Sequence, residues 1–413
     1  MSSNNKIVLL EFNELCWPLL ERFMAEGRLP HFKAFFDSST AYVTEPDVDD
    51  PAYLEPWIQW YSLHTGLPYE QHGVFRLTDG PRAGHEDIWH ILKEQGHPVA
   101  SCASMNTRGF EGEDCFYLPD PWCQTENAYP EQLGTFQRFV SRQVQEHTNQ
   151  ANRASPGEYA ALLAFLLSHG LSVSTLSAIL RQLAAEKLAR HDIRWRRAAL
   201  LDRLQLDLFL HEWRRTRPDF ASFFLNSTAH LQHAYWRFME PEAFLVKPSP
   251  EEDAAYRDAV LYGYQGMDQL LRRLFALEDE GVTLVLATGL SQQPFLRREK
   301  EGGQRFYRPH DVEAFLKTIG VAPKALEPVM THQYVAHFPD ARAADEAEQR
   351  MSALSVGNEQ LLAVRREGET KIYFGAQLAG LVDPSAQITA DGMAPLPFDR
   401  FFYRLQETKS GAH

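Results

Sequence analysis

The sequence lacks any apolar run long enough to cross a membrane, since no stretch of about 18 uninterrupted apolar residues occurs in it. The motifs GxSxG, GxGxxG and Walker A are also missing, which excludes a serine hydrolase of the nucleophile-elbow type and a P-loop nucleotide site. Basic residues are outnumbered, with 41 Lys and Arg against 55 Asp and Glu. The net charge of −14 argues against nucleic acid and against an anionic membrane surface as partners.

Cysteine is scarce and shows no CxxC spacing; the four cysteines are Cys16, Cys102, Cys115 and Cys123. The N-terminal residues lead directly into the apolar run Ile7–Leu10, which is shorter than the apolar region of a secretory signal. We therefore expect a cytoplasmic protein with reduced thiols. A bridge between Cys115 and Cys123 is the alternative.

Apolar residues make up 44% of the 413 residues, which is ample for a large core. Lys6–Phe12 has the composition of a buried strand, and leucines at helical spacing follow it. Strands and helices alternate in this way along much of the chain, which predicts a three-layer α/β/α fold with a mainly parallel sheet. We predict one domain over residues 1–413, with a helical insertion at about 130–217 that either forms a lid or enlarges the core.

Four separated segments and the last residues of the chain carry a further pattern. They are Ile7–Leu15 with Gly27–Pro30, Glu55–Gly66 with His72–Val74, Phe223–Trp236, Val282–Gln293 and Lys409–His413. Together they resemble the type I phosphodiesterase/nucleotide pyrophosphatase branch of the alkaline phosphatase-like superfamily. The resemblance implies a site at the carboxyl ends of the strands and the hydrolysis of phosphate, phosphonate or sulfate esters with two metal ions.

The sequence departs from this branch at several positions where the resemblance implies a metal ligand. Three of them hold residues that cannot replace the ligand: Ala229, Thr288 and Gly289. Three keep a possible ligand: Asn13, His233 and His413. Two histidines and an amide are a poor set for two clustered zinc ions, because zinc prefers histidine nitrogen and carboxylate oxygen. We therefore expect one divalent ion, zinc or manganese, or none, and no two-zinc site.

The nucleophile position of the branch falls on Pro56, so no hydroxyl is available there. A carboxylate, either Glu55 or Glu14, together with His230 is the predicted acid–base pair, since such groups need only suitable pKa values. His230 and His233 are three residues apart and lie on one helix face, although His230 is equally explained as an ordinary helix residue.

Further polar residues are expected to bind substrate at the same sheet edge: Glu11, His72, Asn226, Thr288, Ser291 and Gln292. Glu11 lies inside an apolar strand, where an ionised carboxylate is costly unless it is paired. It is either functional or held by an arginine such as Arg237 or Arg76. Strand alternation places Glu11 and Asn13 on the same side, so a partner of one is expected near the other.

The sequence thus predicts a divergent phosphodiesterase-like hydrolase or group-transfer enzyme. Its substrate would be small and anionic, of the phosphate- or sulfate-ester type, and its metal site reduced or absent. The alternative is an inactive member of the superfamily that binds a phosphate- or sugar-containing ligand or a protein partner. Metal content and turnover of ester panels separate the two.

Overall fold

The structure is a computed structural model of the 413-residue chain. It describes residues 6–46, 48, 50, 53–123, 125–145, 155–330, 332–378 and 381–413. Within these ranges, no helix is both long enough and apolar enough to cross a membrane.

Groups of helices separate most of the strands in the first two thirds of the chain. The strands are β1 Lys6–Phe12, β2 Val99–Cys102, β3 Phe116–Leu118, β4 Phe220–Leu225, β5 Val282–Ala287, β6 Gln293–Pro294, β7 Arg305–Pro309, β8 Ala325–Met330, β9 Gln333–His337, β10 Ser355–Val356, β11 Glu359–Gln360, β12 Leu362–Glu367, β13 Lys371–Ala376, β14 Gln387–Thr389, β15 Leu396–Pro397, β16 Phe402–Thr408 and β17 Gly411–Ala412. The helices are α1 Trp17–Ala25, α2 Pro30–Ser38, α3 Pro56–Thr65, α4 Tyr69–His72, α5 Ile88–Glu94, α6 Gly134–Gln145, α7 Pro156–Ser168, α8 Val173–Leu188, α9 Arg197–Thr216, α10 Ser227–Met239, α11 Pro250–Tyr256, α12 Ala259–Glu278, α13 Val312–Thr318, α14 Ala341–Ser352 and α15 Phe398–Phe401.

Five strands form a parallel sheet in the order β3-β2-β4-β1-β5. β1 and β4 are almost continuously apolar and buried, as expected for strands covered on both faces. The predicted α/β/α class with a mainly parallel central sheet is therefore confirmed. Since all five strands run in one direction, the residues that follow β1, β4 and β5 meet at one edge of the sheet.

Between residues 130 and 217 the described chain forms the helices α6 to α9 and no named strand. Phe209 and Trp213 of α9 pack into the same apolar cluster as Phe223 of β4. The division of the chain into one domain with an insertion stays a prediction. A second apolar cluster, separate from the first, lies around the antiparallel sheet β12-β13-β9-β8 and contains Phe315, Met351 and Phe374.

A buried acid connects α9 to the start of α10. Asp202 accepts a hydrogen bond from the Ser227 hydroxyl, and both residues are buried. Burial raises the pKa of Asp202 from 3.8 to about 7, against the smaller lowering effect of the Ser227 hydrogen bond. The unfolded chain therefore loses this proton at lower pH than the folded protein, so the pair costs stability as the pH rises from about 4 to about 7.

We expect Asp202→Asn to raise the free energy of unfolding at pH 8 by roughly 2–4 kcal/mol and to leave it nearly unchanged at pH 4. The amide keeps a partner for Ser227 and cannot ionise. Urea unfolding at both pH values measures the difference. Asp207→Asn on the same helix is the control: Asp207 is paired with Arg273, so this change is expected to destabilise at both pH values. Equal gains at pH 4 and pH 8 for Asp202→Asn would contradict the assignment.

Candidate functional site

Glu14 lies at the centre of the site, directly after β1, and its backbone is unusual. Its φ is +59°, in the left-handed region that disfavours residues other than glycine. In the phosphodiesterase branch that the sequence resembles, the first strand ends in Asp-Gly, where this chain has Asn13 and Glu14. A glycine position with positive φ is thus filled by a glutamate, at a conformational cost of about 1 kcal/mol. Such strain at a strand end points to a function for the side chain.

The Glu14 carboxylate is buried and bound by four side chains. Oε1 accepts from the Asn13 amide at 2.8 Å, and Oε2 accepts from the Gln292 amide at 2.5 Å. His413 Nε2 lies 2.9 Å and His233 Nε2 3.1 Å from the same Oε2. The strand end after β1, the helix α10, the loop after β5 and residue 413 therefore converge on one carboxylate.

Backbone contacts hold the two histidines in place. His233 Nδ1 lies 2.9 Å from the Gly411 carbonyl, and Ser410 N donates to the His233 carbonyl at 2.7 Å. β17 is also paired with β6, which fixes the direction of the chain leading to His413. A side chain at 411 would lie 2.4 Å from Gln292 Oε1, so only glycine allows this close approach. The carbonyl contact at Nδ1 directs Nε2 of His233 towards Glu14.

The charges in the cluster shift two pKa values in opposite directions. Burial raises the pKa of Glu14, but the nearby His413 and His233 lower it by more, so that it lies well below its ordinary value. Burial lowers the pKa of His413, whereas the charge and hydrogen bond of Glu14 raise it, and the net effect is a raised pKa. Glu14 is therefore ionised at neutral pH, which suits a metal ligand as well as an ion-pair partner.

The donor set fits one divalent ion. Glu14, His233 and His413 each offer one ligand atom, and the three atoms lie within 4.8 Å of one another. Two imidazoles and a carboxylate are the protein ligands of many catalytic zinc sites, which keep a further position open. The His233 side chain is 33% exposed, so the cluster is accessible from solvent on that side. The trio contains two of the three predicted metal ligands and takes Glu14 in place of Asn13.

Asn13 has a different environment. Its Oδ1, the atom that would bind a metal, accepts a hydrogen bond from Trp60 Nε1 at 2.7 Å. Its amide nitrogen donates to Glu14 Oε1 and to Asn226 Oδ1 at 2.7 Å. These contacts orient Glu14 and connect it to the start of α10. The role of Asn13 as a ligand stays a prediction.

Trp60 fills the space beside Gly289, one of the positions where the resemblance implies a metal ligand. A Cβ at position 289 would lie 2.6 Å from Cε2 of Trp60, and Gly289 has φ +67°. A ligand side chain at 289 therefore requires Trp60 to move, which involves a ring that is fully buried. This obstruction is a physical reason to expect one metal ion here and not two.

Glu55 lies next to the trio at the N-terminal end of α3. Its Oε2 is 3.8 Å from His413 Nδ1, and its side chain is 34% exposed. Burial raises the pKa of Glu55, and the nearby His413 and Lys409 offset only part of this effect. Glu55 is thus a carboxylate close to the cluster but outside it, with a pKa shifted towards values useful to a base.

The partner of Glu11 is a histidine. The expectation that Arg237 or Arg76 holds this carboxylate is therefore wrong. Its Oε1 lies 2.8 Å from His64 Nε2, and both side chains are almost fully buried. Arg237 pairs with Glu299 and Arg76 with Glu367. The His64 ring stacks on Trp60, which donates to Asn13, so Glu11 and Asn13 do share neighbours from α3. A substrate contact of Glu11 stays a prediction.

The other predicted site residues lie at different distances from the cluster. The Gln292 side chain donates a hydrogen bond to the Glu14 carboxylate. The backbone carbonyl of Thr288 accepts a hydrogen bond from the Glu14 backbone N–H at 2.8 Å. The Asn226 side chain accepts one from the Asn13 amide. His72 contacts other residues: its Nε2 lies 3.0 Å from the Ser62 hydroxyl, and its Nδ1 accepts a hydrogen bond from Val74 N. Two more are near the edge, namely His230, half-buried on α10, and Ser291, exposed before Gln292. These roles stay predictions.

Sequence reasoning missed Lys409, whose charge acts on both Glu55 and Glu14. It also missed Gln232, which donates to the Glu14 carbonyl at 2.8 Å and is held by Tyr264. The only available signal for Lys409 was its place four residues before His413. No local pattern marks Gln232, because its partner is distant in sequence.

No protein-family model matches the chain. No curated protein matches it either. Among solved structures, it is similar to phosphonoacetate hydrolase from Sinorhizobium meliloti 1021 in complex with phosphonoformate, with 14% identity, a TM-score of 0.39, and coverage of 97% of this chain and 89% of that one. The same enzyme in complex with phosphonoacetate gives 13% identity and a TM-score of 0.35 over the same shares. At this level of similarity the match indicates neither reaction nor substrate.

Proposed function

We propose that the chain is a hydrolase of small anionic esters that uses a single divalent ion, zinc or manganese, held by Glu14, His233 and His413. The observation that carries the proposal is the convergence of three ligand atoms within 4.8 Å around a glutamate in a left-handed conformation. The motifs that resemble the phosphodiesterase branch point to phosphate, phosphonate or sulfate esters. Action on phosphodiesters and a cytoplasmic location are parts of the same proposal that rest on the sequence alone.

In this proposal each residue has a separate task. When bound, a divalent ion supplies Lewis-acid polarisation of the scissile group. Glu55, outside the ligand trio and close to His413, removes a proton from the attacking water as the new bond to phosphorus or sulfur forms. His230 returns a proton to the leaving oxygen as the ester bond breaks. Asn13 and Gln292 hold the Glu14 carboxylate in position through the hydrogen bonds described above.

One observation favours the alternative of a binding protein without turnover. The Glu14 carboxylate already has four protein partners, so its charge is compensated without a cation. A closed network of this kind stabilises a fold by itself. Elemental analysis of the purified chain and hydrolysis of phosphodiester, phosphomonoester and sulfate-ester panels distinguish the two functions.

We expect Glu55→Gln to lower kcat for the ester that is hydrolysed by about a hundred- to ten-thousand-fold, because a proton acceptor is lost. Zinc affinity is expected to stay within a factor of about three, because Glu55 is not in the trio. Steady-state kinetics and calorimetric metal titration measure the two effects.

Glu70→Gln, an exposed change on the short helix α4, is the control and is expected to alter neither quantity. Retention of full activity by the double variant Glu55→Gln with His233→Ala would exclude this site. A loss of zinc affinity in Glu55→Gln equal to its loss of kcat would instead place Glu55 among the ligands.

A further inference from the structure

Helix α8, Val173–Leu188, turns its polar residues inward and its leucines outward. Its two buried residues are Thr175 and Gln182. Leu180 is 58% exposed and Leu183 is 45% exposed. A surface helix ordinarily buries its apolar stripe and presents its polar residues to water. The exposed side of α8 is therefore the side that a binding partner would cover.

The outward apolar residues share one helix face. They recur at intervals of three and four residues, the spacing of neighbours on one side of a helix, and the series is Val173, Leu176, Leu180, Leu183 and then Lys187. Val173 at the start of the helix is 82% exposed, and Leu188 at its end is 84% exposed. The face thus extends along the whole helix and carries a lysine among its apolar residues.

Polar contacts on the opposite side hold α8 in this orientation. The Ser172 hydroxyl accepts a hydrogen bond from Thr175 N at 3.2 Å, and Ser172 N donates to Asp207 Oδ2 of α9 at 2.9 Å. Gln182 Nε2 donates to the Ile193 carbonyl at 3.0 Å. A rotation that buried the leucines would break the Gln182 bond and leave buried polar groups without partners, which is costly. The leucines are therefore held towards solvent by the fold.

Positive charge accompanies the apolar face. Residues 173–197 contain six Lys and Arg against two Asp and Glu, in a chain whose net charge is −14. Both acids are paired with arginines of the same segment. The exposed Arg181, Lys187 and Arg190 form no ion pair with an acid in the described part of the chain. Exposed leucines beside unpaired cations are the combination that binds an anionic lipid surface.

Other occupants match this face less well. A symmetric contact with a second copy repeats the same residues on both sides, so Arg181, near the middle of α8, would approach its own counterpart, and like charges that face each other are costly. The centre of a protein interface is depleted in charged residues, whereas Lys187 belongs to the apolar face itself. At a bilayer surface the long lysine side chain reaches the headgroups while the leucines enter deeper. Residues 146–154, outside the described ranges, contain no large apolar residue that would cover the leucines.

We propose that the exposed face of α8 docks the protein on the surface of an anionic bilayer. The leucines enter the boundary between headgroups and acyl chains, and Arg181, Lys187 and Arg190 contact the anionic headgroups. The net charge of the whole chain argues against such a surface, but attraction at close range depends on the charges within a Debye length of the lipid. The docking face is independent of the proposed ester hydrolysis.

The test is co-sedimentation of the full chain with vesicles of phosphatidylcholine alone and with vesicles that also contain phosphatidylserine. We expect at least about tenfold tighter binding to the mixed vesicles, weakened about tenfold between about 0.1 M and about 0.5 M salt. Leu180→Ser with Leu183→Ser is expected to weaken binding by about 10- to 100-fold. Arg181→Gln with Lys187→Gln is expected to weaken it by about 10- to 30-fold, and this second variant keeps the test informative if the leucine variant fails to fold.

Two matched controls change exposed residues elsewhere and are expected to leave vesicle binding unchanged. They are Leu245→Ser with Leu381→Ser, and Lys317→Gln with Lys371→Gln. Absence of wild-type binding to the mixed vesicles, or wild-type binding by both the leucine and the charge variant, overturns the proposal. Light scattering without lipid identifies the occupant in that case: a dimer lost in the leucine variant assigns the face to a second copy, and a monomer without vesicle binding assigns it to a protein partner.

Discussion

Glu14→Gln is expected to lower zinc affinity by at least about 100-fold, and ester hydrolysis in parallel. The substitution keeps the size and the left-handed backbone of the residue but removes the negative charge that the two histidines surround. Changing a residue that only hydrogen-bonds to a metal ligand typically lowers metal affinity by about 10- to 100-fold, and loss of a carboxylate ligand itself is expected to lower it by more. Calorimetric titration of the dialysed chain with zinc, followed by elemental analysis, measures the effect.

Glu11→Gln is the matched control, because Glu11 is also a buried glutamate of the same chain segment that contacts a histidine. It is expected to cost stability by about 1–3 kcal/mol, since the contact with His64 loses a charge, and to leave zinc affinity unchanged. If both variants lost zinc equally, the site would extend through Trp60 to Glu11. If neither lost zinc, the trio would be an ion-pair network and not a metal centre.

Gly289→Ala is expected to lower the free energy of unfolding by about 3 kcal/mol or more. Two costs add: an L-residue at φ +67° is strained by about 1–2 kcal/mol, and the new Cβ would lie 2.6 Å from the buried Trp60 ring. Overpacking of a core commonly costs about 1–3 kcal/mol. Because Trp60 also donates to Asn13, the same variant is expected to weaken zinc binding through a displaced Glu14.

Gly281→Ala separates the two costs. Gly281 has φ +82°, and a Cβ there would meet no atom within 4 Å. An alanine at this position therefore has only the backbone strain of a positive φ and no steric clash. We expect this variant to lose about 1–2 kcal/mol and to bind zinc normally. Urea unfolding of both variants gives the difference. Equal losses for the two glycines would mean that Trp60 has room to move and that position 289 is open to a side chain.

Much of the fold follows from local patterns. Lys6–Phe12 is an apolar run that is predicted as a strand and found as one, because a strand buried on both faces needs apolar residues at every position. The parallel direction of the sheet follows from the alternation of strands and helices, which also predicts the edge where Asn13, Asn226 and Thr288 come together. Periodicity is a property of neighbouring residues, so the sequence carries it directly.

The candidate site was predictable in part. The resemblance placed His233 and His413 in one site, and the structure brings them within ring contact, with 5.3 Å between their centres. It did not identify the carboxylate that joins them, because the motif has a glycine at that position. The partner of Glu11 was also missed: His64 is 53 residues away, and only the packing of α3 on the sheet brings it near.

The sequence by itself therefore determined the class of fold and predicted the edge of the sheet where a site would lie. Only the tertiary structure decided that Glu14 provides the carboxylate of the cluster and that Trp60 closes the space at Gly289. The physical reason is that these features depend on a backbone torsion and on contacts between distant segments. A residue's type records neither its φ angle nor the side chains that fold against it.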